Sequence, residues 1–354
     1  MASKVEFITR LAALAVGIGF SAAALAGPYS DEYGGLHHAT GVVFRGWASG
    51  CAEYTQPDPD SGGFARNNSG QTCTPAEAVV GRPAAFDPGA MAQHVLSLGN
   101  GGSVVLTFES PIEDAPGPDF AVFENGFTDY TDFTGTSREQ ATNSFSFAEL
   151  AFVEVATRTS AWARFPVTCL NSSVLYSLNN VEQEWFASQD VSLLDGFAGK
   201  HRIEYGTPFD LGSLANDPAV LAGAVDLRCI RYVRLADVMG DGSATDAVGR
   251  AVYDPYYNFS SGYPNPAYAA STDGFDLRAV GVIHFITPKM TPGADGMIVS
   301  WFAASGTTYQ VQASLPGIPS WSDVGAPRAG DDGVHTVTDS VSGVVRLYRL
   351  IEKR

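Results

Sequence analysis

The clearest chemical signal in this chain is a set of carboxylates lying inside apolar runs. Residues 117–127 (GPDFAVFENGF) and 147–155 (FAELAFVEV) carry Asp119, Glu124, Glu149 and Glu154 among large apolar side chains. Strand alternation puts Phe120, Val122 and Glu124 on one face and Ala121, Phe123 and Asn125 on the other. Apolar groups on both faces suit a strand in the middle of a sandwich. A carboxylate there is costly unless it is paired, hydrogen-bonded or bound to a cation. Asp276, inside residues 274–283 (GFDLRAVGVI), poses the same problem.

A second group of oxygens lies in loops. Residues 237–246 (DVMGDGSATD) place Asp237 and Asp241 beside glycines, the combination that a hard cation such as calcium uses. The loop departs from an EF-hand, which would need an oxygen where Met239 stands and a Glu where Val248 stands. Residues 252–276 then gather Tyr253, Tyr256, Tyr257, Tyr263 and Tyr268 around Asp254. Aromatic rings beside carboxylates form a platform for stacking and hydrogen-bonding a sugar, and equally serve to lay a long loop on a sandwich. His37 and His38 are adjacent and would point opposite ways on a strand, so they read as an ordinary polar segment. His201 and Glu204 have no matching nucleophile or second histidine and read as hydrogen-bonding residues.

The elements that must position these residues read as strands. Aromatics at 11%, with 38 Gly and 20 Pro, fit strands and turns, and no long stretch shows the apolar period of a helix. Strands are expected at residues 41–47, 161–167, 228–236 and 274–283. A strand, turn, strand unit is expected at 95–108, with residues 99–102 as the turn. In 228–236, alternation assigns Ile230, Tyr232 and Arg234 to one face and Val233 and Leu235 to the other. Residues 212–221 are a short helical candidate. Residues 49–81 read as one long loop.

Residues 1–26 combine a basic start, an apolar centre and a small-residue end (ALA), the pattern of a secretory signal peptide rather than a membrane span. The expected product is a secreted or cell-surface protein with no membrane span after removal of that segment. Cys51, Cys73, Cys169 and Cys229 are even in number, and export makes disulfides the default. Three pairings are open. The preferred one joins Cys51 to Cys73 across the long loop and Cys169 to Cys229 across the core. A net charge of −17 argues against nucleic acid and anionic membrane surfaces as partners. Proline and glycine at 287–296 mark a linker between a large domain, residues 27–286, and a small β domain, residues 297–354.

Several segments together carry a family resemblance: residues 98–108 (LGNGGSVVLTF), 118–127 (PDFAVFENGF), 149–155 (ELAFVEV), 199–201 (GKH), 205–211 (YGTPFDL), 253–256 (YDPY) and 274–277 (GFDL). Over residues 41–285 the chain resembles a family of exported bacterial cell surface proteins. That resemblance implies an all-β fold, a jelly-roll sandwich of the galactose-binding or carbohydrate-binding-module kind, with a structural calcium near Asp276. The C-terminal segments 298–301 (IVSW), 306–312 (GTTYQVQ) and 346–349 (RLYR), with Trp321, resemble a fibronectin-III-like module.

The expected function is therefore a non-enzymatic binding or adhesion protein, calcium-stabilised, presenting the 252–276 loop to a glycan or other extracellular ligand. Expected metal ligands are drawn from Asp119, Glu124, Glu149, Asp237, Asp241, Asp254 and Asp276. Two alternatives stay open: a polysaccharide-active hydrolase using paired carboxylates, and a capture protein for a nutrient such as a corrinoid or metal chelate.

Overall fold

The computed structural model describes residues 36–37, 44–56, 65–67, 69–83, 94–126, 145–146, 148–171, 176–177, 187–201, 204–253, 274–286, 288–303, 308–318, 320–331, 333–341 and 344–353. Residues 1–26, expected as a signal peptide, lie outside these residues. The larger unit is built on nine strands: β1 (Gly50–Thr55), β2 (Val95–Ser97), β3 (Ser103–Ile112), β4 (Phe120–Glu124), β5 (Ala151–Ala156), β6 (Ala163–Arg164), β7 (Tyr205–Phe209), β8 (Ile230–Asp237) and β9 (Asp276–Val282). They form two antiparallel sheets. The first runs β7, β4, β9, β2, flanked by Leu36–His37 and Ala65–Arg66, with Gly46–Trp47 also paired to β9. The second runs β6, β5, β8, β3, β1.

The chain winds between the sheets rather than building each in turn. Residues 95–108 show why. They read as a hairpin, but β2 joins the first sheet and β3 the second. Splitting them lets Leu96 and Leu98 face Val104 and Leu106 across one apolar core, whereas a hairpin would leave all four in one sheet. Gly99 and Gly101, at φ 70° and 68°, make this corner accessible to the backbone.

Strand β4 lies between β7 and β9 at the centre of the first sheet, as its two-sided apolar pattern requires. On the inner side Phe120 stacks on Phe209 at 5.3 Å and meets Phe165 edge-on at 5.9 Å. On the outer side Ala121, Phe123 and Ala279 are covered by Phe44 and Trp47. Each fully buried large side chain of this kind contributes about 1.5–3 kcal/mol.

Two bulges decide which residues face inward. The β8–β3 register shifts between Ile230 and Tyr232, with the extra residues on β3 between Thr107 and Ile112. Ile230 therefore joins Val233 and Leu235 in the core, although plain alternation groups it with Tyr232 and Arg234. In β9 the register shifts between Leu277 and Ala279, leaving Arg278 as the extra residue and both Leu277 and Val280 in the core.

Residues 49–81, expected as one loop, contain β1, the pair Ala65–Arg66 and helix α1 (Pro75–Val79). Thr74 and Glu77 cap this helix reciprocally, and Ala78 and Val79 enter the core. These contacts pin the segment without a disulfide. None of the four cysteines is disulfide-bonded, which overturns the expected pairing. Cys169 packs with Val167, Val191, Leu194 and Val238, while Cys229 packs with Ile286. The two sulfurs thus serve separate apolar clusters. Cys51 and Cys73 sit at the margin of the main core, and the Cys51 thiol donates to the Glu53 carbonyl at 3.2 Å. The helical candidate is realised as a 3-10 turn, Leu211–Leu214, and a short helix α2 (Pro218–Leu221).

The C-terminal unit has two three-stranded sheets. β10 (Lys289–Gly293), β11 (Gly296–Ala303) and β14 (Gly333–Asp339) form one, in the order β10, β11, β14. β13 (Ser322–Ala329), β12 (Thr308–Ser314) and β15 (Leu347–Lys353) form the other, in that order. Residues 289–293, expected as linker, are the edge strand β10, paired residue for residue with β11. Trp301, Tyr309, Val311 and Val299 fill the small core. The two units touch through buried groups: Arg231 donates to the Tyr309 hydroxyl at 2.8 Å, and Leu350 packs on Cys229 and Ile286. Among the described residues, no helix is long and apolar enough to cross a membrane.

Candidate functional site: two carboxylate groups at opposite ends of one strand

Asp119 precedes β4 and Glu124 ends it, so the sequence-selected carboxylates divide between two ends of the first sheet. At the Asp119 end, Asp114 and Asp210 bring oxygens within 4.8 Å of those of Asp119. Among the described residues this is the one group of three or more acidic, His or Cys side chains to converge so closely. Asp119 is buried and already satisfied. Its Oδ1 accepts from the Ala115 amide at 3.0 Å and faces His284 Nδ1 at 2.8 Å, and its Oδ2 accepts from the Leu211 amide at 2.8 Å. Burial raises its pKa, with these hydrogen bonds acting in the opposite direction. The arrangement ties together the strand ends at 119, 209–211 and 284, a sufficient structural role.

The other end gathers Glu124, Asn125, Asp237, Asp276, Ser97 and Arg278. Here the sheet positions each group. Asp276 opens β9 and lies opposite Ser97 of β2, while Leu277 lies opposite Glu124. Asp237 closes β8 and works as a clamp between loops. Its Oδ2 accepts from Gly101 N at 2.7 Å and its Oδ1 from Phe275 N at 2.8 Å. Glu124 accepts from Gly126 N at 2.7 Å, which turns the chain out of β4.

Asp276 is the outlier. Its side chain is buried, and Oδ1 has no hydrogen-bond donor among the described residues. The Oδ1 of neighbouring Asn125 is likewise buried without a donor. Burial pushes the Asp276 carboxyl up to about 7; Ser97 and Asn125 pull it down, and the Asp237 charge pushes it further up. Two donor-less oxygens beside a second carboxylate make an electron-rich spot that asks for a proton or a cation. Arg278, the bulge residue, is nearby but also buried. Burial lowers its pKa to about 10, and the charges of Glu204 and Glu124 counter that shift.

The flanking basic residues are neutralised or engaged. Burial holds His201 down to about 3, with the Lys200 charge adding to the effect, so its imidazole is neutral at ordinary pH. Lys200 Nζ donates to the Leu194 carbonyl at 2.7 Å. Gly199, at φ 88°, lets this segment cross the backbone of Glu149. A Cβ there would lie 1.7 Å from the Glu149 carbonyl oxygen.

Of the expected metal ligands, Glu124, Asp237 and Asp276 are thus drawn to one end of the sheet, and Asp119 is at the other. Glu149 is buried before β5. Asp241 lies opposite Tyr253 in a small hairpin, Asp241–Thr245 with Ala251–Tyr253. Asp254, Tyr256, Tyr257, Tyr263 and Tyr268 lie outside the described residues. Tyr253 is half-buried, its ring packed over Gly242, so it braces its own hairpin. The turn after Asp241 is organised by Asp246. Its carboxylate takes amides of Cys169, Val248 and Arg250 as well as the Arg250 guanidinium. Burial opposes that ionisation, and these hydrogen bonds overcome it, holding the carboxyl well below the usual range. Asn125, Ser97 and Arg278 were not selected from the sequence. Arg278 was the visible hint, a cation in an otherwise apolar strand.

No family model, curated protein or solved structure matches the chain.

Proposed function

We propose that this chain is an exported, non-enzymatic binding protein. In this reading the sandwich is a jelly roll, stabilised by calcium at its Asp276 end and presenting residues 252–276 to an extracellular glycan. The observation that carries it is the pair of buried, donor-less oxygens on Asp276 and Asn125 beside the Asp237 carboxylate. Calcium takes six to eight oxygens and tolerates carboxylate and amide ligands together, which is the chemistry offered here. Asp276 and Asn125 would hold the ion, with Asp237 contributing charge, since both of its oxygens already accept backbone amides. Asp254 is the next sequence candidate for a further oxygen.

The strand order supports the jelly-roll reading: β2, β9, β4, β7 in one sheet and β3, β8, β5, β6 in the other, with the chain crossing between sheets at most connections. The paired three-stranded sheets of the C-terminal unit support a fibronectin-III-like module. Calorimetry with calcium and with chelator tests the cation, and a glycan array with and without calcium tests the ligand. A melting temperature unmoved by either additive removes the calcium reading. Release of product from a polysaccharide removes the non-enzymatic one.

A further inference from the structure

We propose that the outer face of the second sheet, around Arg164 and Arg234, is a binding site for a carboxylate-bearing sugar, a uronate. This site is separate from the Asp276 end and does not rest on the calcium reading. Three residues stand side by side across three strands: Arg164 of β6 opposite Glu154 of β5, and Glu154 opposite Arg234 of β8. Glu154 is buried at 5% exposure and holds both cations, Oε1 taking Arg164 Nε at 2.8 Å and Oε2 taking Arg234 Nε. Burial alone would favour the neutral acid. The hydrogen bonds from Arg234 and Arg164 outweigh it, so Glu154 stays charged.

One carboxylate therefore orients two guanidinium groups through their Nε atoms alone. Among the described residues nothing takes their terminal amino groups, the half of the fork that grips a carboxylate in a bidentate fashion, which are open to an outside partner. The side chains of Arg164 and Arg234 are 50% and 32% exposed, so a ligand reaches them. Their planes are set by rings below: Arg164 lies 4.5 Å over Phe152 and Arg234 lies 4.4 Å over Trp162. Trp162 and Tyr232 are both half-buried and border the pair, offering the apolar edge that a sugar ring covers.

Charge complementarity selects the occupant. The trio carries one surplus positive charge in a chain of net −17. In a chain of that net charge a polyanion such as nucleic acid, or an anionic lipid surface, is disfavoured relative to a small anion. A patch only three strands wide spans about 10 Å, since neighbouring strands are about 4.8 Å apart, and matches one or two sugar rings of which one carboxylate meets the arginine pair.

The test is calorimetric titration of the full protein with digalacturonate, its methyl ester and acetate, at low and at physiological salt. Digalacturonate is expected to bind at least tenfold more tightly than its methyl ester, which keeps the rings and loses the charge. It should also bind at least tenfold more tightly than acetate, which keeps the charge and loses the rings. Arg164→Gln is expected to weaken digalacturonate at least tenfold, and Arg164→Lys less. Arg164 partners the buried Glu154, so the melting temperature of each variant is measured and binding is read well below it, which separates lost binding from lost folding. No binding of digalacturonate at about 10 mM, where a millimolar site would saturate, overturns the proposal. Equal affinity for the acid and its ester, or an Arg164→Gln variant that folds and binds as well as wild type, also overturns it. Affinity for acetate equal to that for digalacturonate overturns the sugar component.

Discussion

Replacing Asp276 by Asn keeps the side-chain volume and removes the charge, so it isolates what that buried carboxyl does to stability. The folded pKa of Asp276 stands at about 7 against 3.8 for an ordinary aspartate, burial being the main cause. A raised carboxyl pKa means that the folded state binds more protons than the unfolded one between these two values. Stability from this group is therefore present in acid and is lost as pH rises from about 4 to about 7. Each unit corresponds to about 1.4 kcal/mol, so the whole shift is on the order of 4 kcal/mol, and the part lost between pH 5 and pH 8 is about 3 kcal/mol. Asp276→Asn does not titrate and escapes that loss. For a chain of this size, 3 kcal/mol is a melting-temperature difference of roughly 4 °C. Differential scanning calorimetry of both proteins in chelator, at pH 5 and pH 8, reads it as a difference of differences, so other titrating groups cancel. The variant should gain on wild type as pH rises, and calcium at pH 8 should restore the wild type alone. A wild-type-to-variant gap that is equal at both pH values would refute the reasoning.

Two other substitutions probe the frame that holds this site. Tyr309→Phe removes the buried hydroxyl that accepts from Arg231 across the two units. A hydrogen bond to a charged group of this kind contributes about 1.5–3 kcal/mol, and calorimetry should show the C-terminal unit melting earlier, while a Tyr309→Phe trace superimposed on wild type would deny the contact any weight. Gly199→Ala forces a Cβ against the Glu149 carbonyl at a backbone angle of 88°. It should cost more than about 3 kcal/mol in urea unfolding, whereas Gly223→Ala, at positive φ in open space, should cost clearly less.

Much of the frame is legible in the residues. The two-sided apolar run at 120–124 identifies a central strand because no other position in a sandwich buries both faces. Val233 and Leu235 are readable as core by simple alternation. The C-terminal segment is equally plain as a small β domain, apart from β10, whose proline and glycine read as a linker, and β13, which carries no apolar alternation. At the site, Glu124 and Asp276 are recognisable as anomalies, since a carboxylate in an apolar strand needs a local reason. Asn125 and Ser97 carry no such signal, because an Asn before Gly and a Ser at a strand end are ordinary turn residues. Only the pairing of β9 with β2 and β4 brings them to Asp276. The cysteines went the other way: export and an even count favour disulfides, yet the fold buries Cys169 and Cys229 in different clusters.

The sequence by itself determined an all-β protein, the centrality of residues 120–124, and the presence of buried charge, because periodicity and burial cost are local properties of the chain. The tertiary structure alone decided three further things. It split residues 95–108 between two sheets, which no local pattern encodes because a hairpin and a crossover share the same turn residues. It placed Asp119 and Asp276 at opposite ends of the first sheet, dissolving what looked like one constellation of carboxylates. It aligned Arg164, Glu154 and Arg234 in one row, since cross-strand neighbours 10 and 80 residues apart along the chain meet only when registers are set.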